Sequence, residues 1–173
     1  MTTRSAPRPA LHAVRPIAPA TLVALRERDD AGRPCAPYED PEGGAPLRCC
    51  LRRSRRGERI ALVSYAPLRR WAAEAGVDPG AYDEQGPVFI HAEGCGGPAG
   101  GEGHPFAQSG ALRTVRRYDA GGRILGGRAL FLGEEPDAAL EAALAEAFAD
   151  QRAALVHVRA TEFGCFLFEV RRP

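Results

Sequence analysis

At 173 residues the chain is long enough to bury a core of its own and short for two domains. Its 45% hydrophobic and 26% charged residues are the make-up of a globular protein, and a net charge of +1 gives no electrostatic drive toward nucleic acid or an anionic membrane. No apolar run nears the roughly 18–20 residues of a membrane span, and the N-terminus lacks the apolar centre of a secretory signal, so a cytoplasmic location is expected.

All 23 basic residues are arginine, the codon usage of a GC-rich bacterial genome, so arginine abundance by itself carries no functional signal. Five cysteines form an odd set that includes the adjacent pair Cys49-Cys50 and no C-x-x-C, which suits reduced thiols rather than a disulfide framework. Burial as a small apolar side chain is the ordinary reading of each one taken singly.

Residues 1–10, rich in proline and arginine, read as a disordered tail, and 11–173 as a single α+β domain. Leu11 to Ile17 reads as a short edge strand and Pro19 to Arg28 as a short helix with Leu22 and Leu25 inward. Gly32 to Pro46 is a proline- and glycine-rich surface loop. Arg48 to Leu51 and Arg59 to Tyr65 read as strands joined by an arginine-rich tip; the tip lacks the aromatic interleaving of a nucleic-acid surface. Pro67 to Gly76 is helical in spacing, with Leu68, Trp71 and Ala75 on one side and Gly76 as its stop.

Tyr82 to Cys95 (Y-D-E-Q-G-P-V-F-I-H-A-E-G-C) organises the rest. Gly86-Pro87 punctuates a short β-rich strand in which Phe89, His91 and Glu93 share one face, and continued extension adds Cys95 to it. The loop from Gly94 to Pro105 holds six glycines and His104, and reads either as a lid or as a tolerated insertion. Leu112 to Tyr118 and Ile124 to Leu132 are strands around the turn Asp119-Ala-Gly-Gly. Pro136 to Asp150 carries the stripe of an amphipathic helix: Leu140, Ala143, Leu144, Ala147 and Phe148. A closing hairpin sets Leu155, His157 and Arg159 on one face. Strict alternation places Cys165, Leu167 and Glu169 together and Phe166, Phe168 and Val170 opposite, against the helix.

The motifs R-C-C-L-R, I-A-L-V-S-Y-A-P-L, Y-D-E-Q-G-P-V-F-I-H-A-E-G-C, R-R-Y-D-A-G-G-R and V-H-V-R-A-T-E-F-G-C-F-L-F-E-V, in this order and spacing, resemble a bacterial family, domain of unknown function family 1203. The resemblance runs from about Pro46 to the C-terminus, and G-P-V-F-I-H and G-C-F are its most specific blocks. It implies one compact α+β domain and no established activity. Its motif positions fall here on Cys50, Tyr65, Tyr82, Gly86, Pro87, Phe89, His91, Cys95, Arg116, Tyr118, Asp119, His157, Gly164, Cys165 and Phe166. Leu47 stands where relatives often have Cys, Gly96-Gly97 replaces an aromatic, and the segment around Trp71 resembles an insertion.

These residues support a mainly antiparallel, curved sheet with one long amphipathic helix packed on it. The candidate chemistry is acid–base work on a small carbonyl or carboxylate compound: isomerisation, dehydration or cyclisation. His91, His157, Cys95 and Cys165 are the candidate catalytic groups. Tyr65, Tyr82, Glu93, Arg116, Tyr118 and Arg159 are the candidate substrate contacts, with the arginines as an anion clamp. No cofactor is assigned. Zinc on the two histidines and two cysteines is a competing reading whose spacing lacks the tight pairs of structural sites. A Cys165–His157 thiol dyad and a non-catalytic ligand-binding or accessory module also compete with it. The expected partner is a small molecule, with a possible homodimer, and neither nucleic acid nor membrane.

Overall fold

A computed structural model describes residues 12–101 and 103–172 of the chain, so the expected tail at 1–10 lies outside the described residues. In chain order the elements are β1 (Val14–Arg15), α1 (Pro19–Glu27), β2 (Tyr38–Glu39), β3 (Pro46–Leu47), β4 (Arg52–Arg53), β5 (Arg59–Tyr65) and α2 (Pro67–Ala75). A 3-10 turn (Gly80–Tyr82) precedes β6 (Gly86–His91), β7 (Leu112–Tyr118), β8 (Ile124–Phe131), α3 (Pro136–Ala149), β9 (Leu155–Ala160) and β10 (Phe166–Arg171). Among the described residues, no helix is long and apolar enough to cross a membrane.

Among the described residues the fold is α+β with two sheets and three helices, where a single curved sheet covered by one long helix was expected; the two shorter helices lie in segments read as helical. The first sheet has the order β1-β10-β9-β7-β8, antiparallel throughout. The second has the order β2-β5-β6-β3-β4, antiparallel except where β3 runs parallel to β6. The difference has a simple source. Proline-rich segments that read as loop contribute two-residue strands, too short for a period-2 pattern, and these complete a sheet around β5 and β6.

Each sheet has its own core. On the first, α3 buries Leu140, Leu144 and Phe148 against Val115, Val156, Val158, Phe168 and Val170. On the second, Ile17 and the α1 residues Leu22 and Leu25 cover Leu47, Ile60, Val63, Val88 and Ile90. A third cluster joins Leu68 and Trp71 of α2 to Tyr118 and Leu155 on the far face of the first sheet. Each helix begins at a proline, whose missing N–H costs nothing in the first turn, and Gly76 ends α2 in the left-handed region at φ 69°. Gly122 is needed for the same reason of φ (79°) and for space: a Cβ there would sit 2.8 Å from Pro79 Cβ, beside Trp71.

Two local departures from the sequence reading shape the sites. Arg48 to Leu51 is a tight turn rather than a strand, closed by Leu51 N–H donating to Leu47 O at 2.9 Å, and Leu51 takes a left-handed φ of 57°. A non-glycine residue in that region costs about 1–2 kcal/mol. In β10 the register shifts between Phe166 and Phe168: Phe166 faces Arg159, whereas Phe168 faces Val158. One extra residue at a bulge reverses alternation. Phe166 therefore leaves the helix side and joins the second core, Leu167 crosses into the core under α3, and Phe168 stays there.

The loop between β6 and β7 is fastened at its far end. His104 is buried, stacks on Phe168 at 6.5 Å, and meets the Glu141 carboxylate of α3 at 2.9 Å. Phe166 binds the two cores together, so Phe166→Ala is expected to cost about 3–5 kcal/mol in urea denaturation. Leu62→Ser, at a position 51% exposed, is expected to shift stability by no more than about 0.5 kcal/mol. Equal losses would contradict the assignment of Phe166 to the seam.

Candidate functional site

Two groups of side chains stand out, one on each sheet. The first lies where the Arg48–Leu51 turn meets the end of β6. Cys49 Sγ and Cys50 Sγ are 3.9 Å apart and lie 3.4 and 3.7 Å from His91 Nδ1. The His91 backbone N–H donates to Cys49 Sγ at 3.2 Å. Cys95 joins them: one donor atom from each of Cys49, Cys50, His91 and Cys95 lies within 4.8 Å of all the others, within reach of a single metal ion.

The other ring nitrogen of His91 faces Glu58 Oε2 at 3.5 Å and an Arg52 guanidinium nitrogen at 3.2 Å. Arg52 grips Glu58 through two bonds of 2.9 and 2.7 Å and holds that carboxyl down to about 2. The hydrogen bond with Cys49 lowers the Cys50 thiol's pKa, and the Arg52 backbone N–H and guanidinium act in the same direction. The same bond, together with burial, pushes Cys49 up.

The second group lies on the face of the first sheet away from α3. Glu84, just before β6, reaches across to β7 and β9. Its Oε1 accepts from Arg116 at 2.5 Å, and its Oε2 accepts from Arg159 at 2.7 Å and from the Tyr118 hydroxyl at 3.4 Å. Beside this node is a pocket of about 160 Å³, walled by Tyr65, Pro87, Phe163 and Phe166 and carrying Glu84, Arg159 and Cys165. Phe163, 83% exposed, stands at its rim.

His157 lies behind the pocket rather than in it. It is fully buried, with ring centroids 5.0 Å from Tyr118 and 5.1 Å from Phe166, and its Nε2 is 3.1 Å from Glu169 Oε2. Burial lowers its pKa, although the Glu169 carboxylate opposes this. Burial pushes Glu169 upward, but His157 and Arg171 outweigh it, and its pKa is lowered.

The sequence-derived residues therefore divide. His91 and Cys95 come together, and the pair Cys49-Cys50, read singly as buried thiols, completes their cluster. Tyr65, Arg159 and Cys165 line the pocket, with Arg116 and Tyr118 tied to it through Glu84. Tyr82 is exposed, and Glu93 is an exposed partner of Arg59 at 3.1 Å. The proposed Cys165–His157 dyad does not form. The register sets His157 opposite Glu169, while the Cys165 thiol donates to Phe163 O. Glu84 escaped the sequence reading because an acid in a turn carries no periodic signal. The adjacent cysteines did carry one, a doubled ligand type, which single-residue burial statistics obscured.

The fold and these two sites define a small α+β protein with a thiol–imidazole cluster at one sheet and an arginine–carboxylate pocket at the other. The chain belongs to the family described as Protein of unknown function (DUF1203), whose model matches residues 44–172 and so spans both sites. No curated protein and no solved structure matches the chain. Residues 14–27, outside the matched span, supply β1 and α1; Arg26 of α1 donates to His91 O at 3.1 Å and to Glu93 O at 2.9 Å.

The buried His157 predicts a pH dependence of stability. With its folded pKa below the ordinary 6.5, unfolding takes up a proton as pH falls through about 6.5, so stability is lost on acidification. Lowered Glu169 acts in the same direction below its ordinary 4.5. Between pH 8 and 5.5 the wild type is expected to lose more unfolding free energy than His157→Gln, by up to about 1.4 kcal/mol per pH unit below 6.5. Parallel stability–pH curves from urea titrations would remove the buried neutral imidazole as the cause.

Proposed function

We propose that the protein binds a small carbonyl or carboxylate compound in the pocket between Tyr65, Glu84, Arg159 and Cys165 and moves a proton on it, as a lyase or isomerase without an organic cofactor. The observation that carries this reading is the Glu84 carboxylate, fixed by Arg116, Arg159 and the Tyr118 hydroxyl at the edge of an aromatic-walled pocket. A carboxylate whose position is set by three donors is a group prepared for proton transfer, and the two guanidiniums supply charge for an anionic substrate or intermediate. Tyr65, Phe163 and Phe166 supply apolar contact and exclude water.

His157 serves this site as a positioning residue. It packs on Tyr118 and Phe166 from behind and fixes the phenol and the pocket wall. Glu84 takes the proton-transfer role that sequence alone assigns to His91 and His157. The observation that favours a second reading, a non-catalytic ligand-binding module, is that all three donors to Glu84 are already engaged.

Native mass spectrometry of freshly purified protein is expected to show a retained small molecule and also reads the assembly state. The adduct should be lost in Arg159→Leu. Incubated with that compound, the wild type should convert it, and Glu84→Gln should bind it with turnover reduced by about 10²-fold or more. Binding without conversion selects the non-catalytic module. Retention of the adduct in Arg159→Leu places the ligand elsewhere and overturns the pocket assignment.

A further inference from the structure

Cys49, Cys50, His91 and Cys95 have a geometry that the pocket does not explain. Zinc bound tetrahedrally at Zn–S near 2.3 Å and Zn–N near 2.0–2.1 Å would set S···S edges of roughly 3.8 Å and S···N edges of roughly 3.6 Å. The three distances among Cys49, Cys50 and His91 are 3.9, 3.4 and 3.7 Å. One hydrogen bond would explain one short contact; a single ring nitrogen close to two sulfurs, with a third thiol within 4.8 Å, calls for a common centre.

The surroundings match the donors. His91 turns Nδ1 to the sulfurs and Nε2 toward Glu58, whose Oε2, 3.5 Å away, would accept a hydrogen bond from Nε2–H once Nδ1 is a ligand. Arg52 holds Glu58 in place through two hydrogen bonds; its Nη2, 3.2 Å from Nε2, can only donate, so ligation through Nδ1 would turn Nε2–H from Arg52 to Glu58. The His91 backbone N–H points at Cys49 Sγ, a donor to a thiolate. Leu51, strained at positive φ, closes the turn that aims both adjacent sulfurs at the same place. Cys95, partly exposed and followed by the left-handed glycines Gly96 and Gly97, offers a way in.

We propose that Cys49, Cys50, His91 and Cys95 bind one zinc ion in a closed, four-coordinate structural site. Thiolate and imidazole donors select a soft or borderline divalent ion over magnesium or calcium, and four protein ligands leave no open position for substrate. The ion ties the turn after β3 to the end of β6 and to the start of the glycine-rich loop. It also replaces the zinc set suggested by sequence, since His157 and Cys165 belong to the other sheet.

The test uses the full-length protein, purified under reducing conditions without added metal. Elemental analysis is expected to give about one zinc ion per chain. Exchange into cobalt(II) should give the visible and near-ultraviolet bands of tetrahedral cobalt thiolate. Alkylation read by intact mass needs no variant: with metal bound, Cys49, Cys50 and Cys95 should be protected relative to Cys165, and chelation should expose them. Cys49→Ser/Cys95→Ser should lose the metal and the cobalt spectrum. Metal-free protein that gives no cobalt thiolate spectrum on titration would overturn the site. So would chelator-independent alkylation, or zinc retained by the double variant. None of these readouts depends on the pocket ligand.

Discussion

Arg48 is a buried cation with no carboxylate beside it among the described residues, and the arrangement of both sheets passes through it. Its Nε donates to Phe166 O at 2.7 Å and its guanidinium also bonds Pro46 O. Its backbone N–H donates to Phe89 O at 2.9 Å, and its carbonyl accepts from Ile17 N–H at 3.0 Å. Desolvation pushes its pKa down to about 10, still protonated at neutral pH. Hydrogen bonds to a charged donor contribute about 1.5–3 kcal/mol each, and removing the donor would leave buried carbonyls unpaired. One side chain thus fastens β10 to the turn that begins at Arg48, and that turn carries Cys49 and Cys50. The thiol cluster and the Phe166 side of the pocket are set from the same residue.

The bulge in β10 has the complementary role. Without it Phe166 and Phe168 would share the helix face, and Tyr65 would lose its aromatic partner at the seam between the sheets. With it, one strand serves two cores: Phe168 and Val170 under α3, Phe166 against Tyr65 at 5.4 Å and His157 at 5.1 Å. The cost is one disturbed ladder position. The return is a wall that separates the thiol cluster from the pocket, so each keeps its own chemistry.

How far sequence could reach follows from the range of each interaction. The stripe on α3 was readable because its five buried residues repeat within one helix, and the face alternation of β9 was readable for the same reason. His91 beside Cys95 was readable from four residues of spacing. The bulge at Leu167 was not, because a register shift depends on the partner strand and leaves no mark on period 2. The second sheet was missed because β2, β3 and β4 are two residues each. His91 and His157, both read as catalytic groups within one sheet, are parted on the same ground: the strands bearing the two rings lie in different sheets.

The charges on the face of the first sheet away from α3 bear on which ligand the proposed pocket would take. Two hydrogen-bonded groups lie along that face. At the pocket end Arg116 and Arg159 outnumber Glu84 by one charge; at the other end Arg171 and Arg15, the ladder partner of Glu169, match Glu169 and Glu74. The positive excess is thus confined to the pocket end. A monoanionic carboxylate entering beside Tyr65 and Cys165 would neutralise the positive end without displacing Glu84. A cation would add to an existing excess in a partly desolvated setting, where like charges repel most strongly. Under the function proposed above, charge placement more than pocket shape would therefore favour small acids as ligands.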